Sequence, residues 1–190
     1  HATAVLAKQA ATIDVLSNGR LTVGIGSGGR EHDYIAAEKP FNNRFSRMEQ
    51  QVHELKSLWA GQPPFTDADR VGPAPVQAGG PPLFAGVGGP KSLARAAQWA
   101  DGLFGQNVGD GNYANFSHYV DNAHSLWKEA GRKTKPYITT SFWYALGPNA
   151  KTQLEHYAKS YMDILGQGAV DYILSQQSID SEAALIDALD

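Results

Sequence analysis

One stretch, residues 83–104, does most to limit the folds open to this chain. Its apolar run Leu83-Phe84-Ala85 predicts a strand, and Gly86-Val87-Gly88-Gly89 predicts a turn. Pro90 then stands where a first helical residue tolerates a missing N–H. Apolar residues follow at helical spacing, namely Leu93, Ala96, Ala97 and Ala100. Gly102 ends this helix and Leu103-Phe104 begin a second strand, so the stretch predicts a strand–helix–strand unit.

The glycine turn of this unit is a candidate anion site. A strand that enters a helix through bare glycine backbone leaves free N–H groups pointing at the turn, where the helix dipole is positive. Gly86, Gly88 and Gly89 would supply the backbone, and Ser92 would add a hydroxyl. A phosphate cradle is one interpretation. The other is an ordinary tight turn in which the glycines only satisfy positive φ.

The rest of the chain repeats this alternation of helix and strand. Helices are predicted at residues 2–17, 45–60, 112–131 and 150–166, with a last one near residue 180. Strands are predicted at 21–26 and 137–146, whereas 31–43 is predicted as a loop and 61–82 as an extended connection without a domain boundary. The stripe expected to be buried in the first helix is Leu6, Ala10, Ile13 and Leu16. Such alternation predicts an α/β fold with a parallel sheet.

In α/β folds the chemistry sits at the carboxyl ends of the strands. Three polar, glycine-rich segments follow predicted strands, namely 26–30, 86–92 and 106–111. We therefore expect them to converge on one rim, which favours the phosphate cradle. The pattern Gly24-x-Gly26-x-x-Gly29 also matches a dinucleotide fingerprint, but no second strand ending in an acidic residue follows about 20 residues later, so a Rossmann site is disfavoured.

Composition excludes several classes of function. The chain has 190 residues and no cysteine, so disulfides, thiolate zinc sites and cysteine nucleophiles are absent. A net charge of −3 without a basic run argues against nucleic-acid binding. No apolar run approaches the roughly 20 residues of a membrane span, and we expect a soluble cytoplasmic protein. Glu31-His32-Asp33 is the nearest approach to a metal-ligand cluster, but adjacent residues rarely face one ion, and we predict no metal site.

A family resemblance is carried by segments that occur in order over most of residues 4–105. They are LAKQAATIDVLSNGRLTVGIGSGG, PFNNRFSRMEQQVHELKSLW, GPAPVQ and GGPKSLARAAQWADG. These segments closely resemble the luciferase-like flavin-dependent monooxygenases. The resemblance implies a (β/α)8 TIM barrel of bacterial-luciferase type, which usually needs about 250 residues. We therefore expect one partial TIM-barrel domain over residues 1–190, an internal part of the barrel with about four βα units.

The resemblance also implies a flavin cofactor. FMN is the expectation, with a deazaflavin coenzyme as the alternative, because deazaflavin-dependent relatives often carry a glutamate where this chain has Gly29. The family's phosphate-binding turn falls on Gly88, Gly89 and Ser92. An arginine that reaches the phosphate matches Arg47, or Arg44 one turn earlier. The implied cofactor-binding residues are Ser27, Gly28, Arg47, Gly86, Gly88, Gly89 and Ser92.

The implied activity is that of a flavin-dependent oxidoreductase or monooxygenase, using reduced FMN or a deazaflavin on a small organic substrate. A homo-oligomer is expected, and no catalytic residue can be named. One alternative is a non-catalytic flavin-binding or structural remnant of such a barrel. Another is a different phosphate-binding barrel enzyme, such as an aldolase or isomerase, which would need a lysine or carboxylate at a strand end.

Overall fold

A computed structural model of the chain describes residues 2–107, 113–175 and 179–189. The strands are β1 (Val23–Ile25), β2 (Leu83–Ala85), β3 (Gly102–Asn107) and β4 (Tyr137–Ser141). The helices are α1 (Thr3–Leu16), α2 (Glu31–Ala36), α3 (Arg44–Trp59), α4 (Pro90–Ala96), α5 (Tyr113–Glu129), α6 (Ala150–Met162), α7 (Gln167–Ser175) and α8 (Glu182–Asp187), with a 3-10 turn at Asp163–Leu165. The alternation of helix and strand predicted from the sequence is confirmed.

The four strands form one sheet in the order β1-β2-β3-β4. β1 pairs with β2 in parallel, with Val23 opposite Leu83, and β2 pairs in parallel with β3. Gly102, at the start of β3, lies opposite Phe84, and a Cβ there would lie 2.7 Å from both the Phe84 ring and the Tyr137 carbonyl. The Phe84 and Tyr137 rings stack with their centroids 6.2 Å apart, and only glycine at position 102 leaves room for the Phe84 ring.

Two compact units divide the chain. The first comprises residues 1–103 and 126–137, and the second comprises 104–125 and 138–190. The connection 61–82 lies wholly within the first unit and contains no helix or strand, as predicted. The largest fully buried side chains of the first unit are Val52, Leu55, Leu83, Leu93, Leu103 and Trp127, together with the carboxylate of Asp14. In the second unit α6 packs on α7, and Trp143 makes edge contacts with Tyr157 and Tyr161.

The face that α1 buries differs from the predicted one. Ile13 is 50% exposed and Leu16 is 80% exposed, although both belong to the predicted apolar stripe. The buried residues are Thr3, Ala7, Ala10, Ala11 and Asp14. Ala10 is thus the one residue of the predicted stripe that is buried, while Leu6 is half-buried. Alanines at this surface let α3 approach closely, and the Trp59 indole of α3 donates a hydrogen bond to the Ala7 carbonyl at 3.0 Å. The helix was predicted correctly, but its predicted stripe is right at Ala10 and wrong at Ile13 and Leu16, because the buried face of α1 consists mainly of alanines.

Asp14 explains why α1 can bury a carboxylate. Its Oδ2 accepts hydrogen bonds from the backbone N–H groups of Val76 and Gln77, at 2.8 and 3.0 Å. The Gln77 side-chain amide donates to Oδ1 at 2.7 Å and also to the Leu21 carbonyl at 2.8 Å. Buried carboxylates are tolerated when their oxygens are satisfied in this way. The network attaches the connection that precedes β2 to the end of α1 and the start of the β1 segment.

Other boundaries also differ from the sequence-based ones. Residues 31–36, predicted as loop, form α2, which buries none of its side chains and so carries no apolar periodicity. β1 is only half-buried at Val23 and Ile25 and exposed at Gly24, rather than a buried strand. β4 ends at Ser141 instead of extending to residue 146. β3 runs on to Asn107 into the predicted loop, whose remainder, 108–111, lies outside the described residues.

Candidate functional site

The carboxyl ends of β1 and β2 lie side by side. The Gly86 N–H donates a hydrogen bond to the Ile25 carbonyl at 2.8 Å, which continues the parallel pairing one residue past β2. Ser27, Gly86 and Ser92 then share the lining of a small cavity of about 10 Å³. The structure therefore brings together residues from two segments 60 positions apart, as expected for a parallel sheet. The cavity is about the size of one water molecule and is too small for a phosphate group.

The glycine turn itself is open to solvent. Gly88 and Gly89 are exposed, and Gly89 is the N-cap of α4 with φ −84° and ψ 155°. Pro90 takes the first helical position, as predicted. The Ser92 hydroxyl donates to the Gly89 carbonyl at 2.8 Å, so it must rotate before it can donate to a ligand. α4 has only seven residues, which leaves little aligned dipole, and backbone N–H groups are the main donors that the turn offers.

Gly28 has a left-handed backbone, with φ +69°. It follows Ser27, whose carbonyl accepts a hydrogen bond from the Tyr34 hydroxyl of α2. A side chain at position 28 would be strained by the backbone conformation, and its Cβ would contact the Tyr34 ring at 3.8 Å. α2 therefore fixes the course of the chain after β1, and the prediction of a loop there missed this contribution.

Arg47 lines a different and much larger cavity. This cavity has a volume of about 450 Å³ and lies between α1, the end of β1, α2 and α3. Its apolar wall includes Leu6, Val23, Ile25, Val52 and Leu55. Ser27 and Met48 line both this cavity and the small one, so the two are adjacent. We call the larger one the β1 cavity.

The charged lining of the β1 cavity is mainly basic. Lys39, Arg44 and Arg47 contribute positive charges, and Asp33 is the one carboxylate among its lining residues. Asp33 already pairs with Arg30 at 3.7 Å. The Arg44 guanidinium lies 3.8 Å from the Phe41 ring centroid and 4.4 Å from that of Phe45. The sequence offered Arg44 and Arg47 as alternatives, but both line this cavity, and Lys39 was missed because nothing in its local pattern singles it out.

A further cavity lies in the second unit, at the carboxyl end of β4. It has a volume of about 490 Å³ and is lined by Phe142, Trp143, Tyr144, Ala145, Gln153, Leu154 and Tyr157. None of these described lining residues carries a charge, so the cavity suits an apolar group. The expected strand 142–146 is absent because these aromatic residues turn towards α6, where Trp143 meets Tyr157.

Among the residues that the structure describes, three groups have clearly shifted pKa values, and none of the three lines a cavity described above. Burial acts to raise the pKa of Asp14, but the hydrogen bonds from Gln77 and Val76 outweigh it and hold the pKa below its ordinary value. Burial lowers the pKa of Lys56, whose ammonium donates to the Trp99 carbonyl at 2.6 Å. Burial raises the pKa of the Tyr119 phenol to about 12. These shifts belong to packing, and they nominate no acid or base for catalysis.

Two classes of site receive no support from the described part of the chain. In residues 2–107, 113–175 and 179–189, no group of three or more histidines and carboxylates is placed to hold a metal ion, so the Glu31-His32-Asp33 run does not form one. Over the same residues, no helix combines the length and apolar character that crossing a membrane requires.

The chain belongs to the luciferase-like monooxygenase family, whose model matches residues 1–185. An uncharacterized protein of Mycobacterium bovis is 28% identical over 145 residues, covering 73% of this chain and 50% of that protein. The F420-dependent glucose-6-phosphate dehydrogenase of Nocardia farcinica is 31% identical over 109 residues, covering 53% of this chain and 32% of the enzyme. The chain thus spans half or less of the length of these curated relatives.

Comparison with solved structures supports the same fold. An F420-dependent secondary alcohol dehydrogenase, solved with an F420–acetone adduct, superimposes with a TM-score of 0.76 at 19% identity, covering 100% of this chain and 65% of that one. The family resemblance inferred from the sequence is therefore confirmed, as is an α/β fold with a parallel sheet of the luciferase-like kind.

Proposed function

We propose that the protein is an oxidoreductase that uses a deazaflavin coenzyme on a small organic substrate. The observation that carries the proposal is the family match over residues 1–185. The choice of coenzyme is supported by the dehydrogenase relative at 31% identity, whose name states dependence on F420. The sequence-based preference for FMN rested on Gly29 alone, and no relative named above supports it directly.

The residues at the β1 and β2 ends suit the phosphate of such a coenzyme. Gly88 and Gly89 are exposed, and a Cβ built on Gly89 meets only the Ser92 hydroxyl, at 3.8 Å. A phosphate can therefore approach the backbone closely, and its oxygens accept hydrogen bonds from N–H groups. Ser27 lies beside this turn, and Arg47 lines the adjacent β1 cavity. We propose that these residues, with Gly28 and Gly86 shaping the two turns, hold the phosphate end.

In this proposal the coenzyme carries out the chemistry and the protein binds and orients it. Hydride transfer is the chemistry that a reduced deazaflavin supplies when bound. The glycine turn and Arg47 would anchor and orient it, and the apolar wall of the β1 cavity would exclude water from the anchored end. The residues named here offer backbone N–H groups, hydroxyls and a guanidinium, so we assign them to binding of the coenzyme.

A side-by-side titration tests the proposal. Oxidised F420 and FMN are added separately to the protein, and the fluorescence of each is followed, with circular dichroism to verify that the protein is folded. We expect saturable binding of F420, at least tenfold tighter than that of FMN, which corresponds to about 1.4 kcal/mol. Tighter binding of FMN would reverse the choice of coenzyme. Binding of neither by folded protein would contradict the proposal and favour a structural remnant of the barrel.

A further inference from the structure

We propose that the β1 cavity binds the acidic tail of the deazaflavin coenzyme, with Lys39 and Arg44 as its recognition residues. This inference rests on the proposed function and extends it to a second part of the ligand. Beyond its phosphate, F420 carries a chain of linked glutamates, so its tail presents several carboxylates. FMN ends at its phosphate and has no such group. A site for the tail would therefore distinguish the two coenzymes.

The charges of the cavity favour carboxylates. Lys39, Arg44 and Arg47 outnumber Asp33 in the lining, and Asp33 is turned to Arg30. Within the described residues, none of the three cations makes an ion pair with a carboxylate of the protein. α3 also begins at Arg44 with no acidic residue in its first turn, so its positive end faces this region uncompensated. Unpaired cations around a cavity attract an anionic ligand.

Arg44 is held ready for such a ligand. Its guanidinium lies against the Phe41 and Phe45 rings, and its Nη1 donates to the Phe41 carbonyl at 3.2 Å. Its Nε is buried and has no hydrogen-bond partner among the described residues. Buried donors are nearly always satisfied in native structures, so an unpartnered one marks a place where an acceptor is missing. A carboxylate entering the cavity, with a small shift of the side chain, would supply that acceptor.

Position and size agree with this assignment. The β1 cavity shares Ser27 and Met48 with the small cavity that Gly86 and Ser92 also line, so a ligand anchored by phosphate at the glycine turn can continue into it. Its volume of about 450 Å³ lies in the range of small-molecule pockets. The cations lie at the start of α3 and just after α2, and apolar side chains from α1, β1 and the rest of α3 complete the lining, which suits the methylene groups of a glutamate chain.

The test compares two forms of the coenzyme. One is F420 with several glutamates, and the other is the form that ends at the lactyl phosphate, without glutamates. The quantity measured is the ratio of their dissociation constants. For the wild-type protein we expect the glutamate-bearing form to bind roughly tenfold more tightly, the sum of two or three partly exposed ion pairs. Lys39→Gln combined with Arg44→Gln should reduce the ratio to about one to threefold.

Two further variants keep the outcome clear. Lys39→Glu changes an exposed residue that should not affect folding, and it should lower the ratio by reversing a charge. Arg20→Gln removes an exposed arginine whose Nε donates to the Ser17 carbonyl and which does not line the β1 cavity, and it should leave the ratio unchanged. A wild-type ratio near one, with both forms bound, overturns the tail site and leaves the proposed function intact. A ratio that stays tenfold in Lys39→Glu and in the double variant also overturns it. If neither form binds, both proposals fail.

Discussion

Replacing Gly89 with aspartate tests the phosphate turn most directly, because the structure allows the new side chain without strain. Gly89 has φ −84° and ψ 155°, which any residue adopts, and its built Cβ meets only the Ser92 hydroxyl, at 3.8 Å. As the N-cap of α4, the position also favours aspartate over glycine by a few tenths of a kcal/mol. The variant should therefore fold at least as well as wild type, and any loss of binding must come from its charge.

The size of that loss follows from Coulomb's law. A carboxylate about 5 Å from one phosphate charge is unfavourable by about 0.8 kcal/mol in water and about 3 kcal/mol at an effective dielectric constant of 20. Gly89 is exposed, so we expect a value in the lower half of this range, about 1–2 kcal/mol. That corresponds to coenzyme binding about 5- to 30-fold weaker than wild type.

The matched control is Gly89→Asn, which has the same shape and capping ability but no charge. Fluorescence titration of F420 gives the two affinities, and thermal unfolding verifies that both variants remain folded. We expect Gly89→Asn to stay close to wild type and Gly89→Asp to weaken binding, with the gap narrowing as salt is raised. Equal affinities for the two variants at low salt would refute the placement of the phosphate at this turn.

Three further predictions concern stability. Asp14→Asn should lower the free energy of unfolding by about 1–3 kcal/mol at pH 7, because an amide cannot accept every hydrogen bond that the buried carboxylate accepts. Because the pKa of Asp14 is lowered in the folded state, the carboxylate contributes to the free energy of unfolding above the unfolded-state pKa near 3.9. This contribution is lost as the pH falls through the folded-state pKa, so urea unfolding should give wild type and Asp14→Asn increasingly similar stabilities in acid. Trp127→Ala should cost about 3–5 kcal/mol in the same assay, because Trp127 is 1% exposed; a loss below 1 kcal/mol would contradict its place in the core. Tyr119→Phe should remove one phenol, with a pKa of about 12, from a titration followed by ultraviolet absorbance. The phenol ionises near pH 10 in the unfolded chain but near pH 12 in the folded one, so wild type loses free energy of unfolding between these pH values. The variant should lose less of it.

The helices and strands that were predicted well are those whose bounds are set by their own sequence pattern. The β2 strand was predicted at its observed bounds, because its apolar run is bounded by Pro82 and by the glycine turn. α3 was predicted within one residue at each end, since Val52, Leu55 and Trp59 of its apolar periodicity are buried. Phe45, at the start of the same periodicity, is 37% exposed. α2 was missed for the converse reason. It buries no side chain, so its formation depends on contacts such as the Tyr34 hydroxyl with the Ser27 carbonyl, which no local pattern reveals.

The candidate site also contains residues that the sequence pattern indicated and residues that it did not. The closeness of Ser27, Gly86 and Ser92 was predicted from the sequence because parallel topology places the ends of neighbouring strands together, and their role in binding a cofactor stays a prediction. The basic lining of the β1 cavity was only partly found, since Lys39 and Arg44 acquire their setting from α2 and from the Phe41 and Phe45 rings. The role of Asp14 could not be anticipated, because its partners lie 62 and 63 residues further along the chain.

The Asp14 network has a consequence for hydrogen exchange in the long connection before β2. Val76 and Gln77 lie in a segment without helix or strand, yet their amide hydrogens point at a fully buried carboxylate of α1. Exchange of these hydrogens with solvent therefore requires α1 to separate from the connection, not a local fluctuation of a surface loop. Their deuterium uptake should follow that of the helix interior.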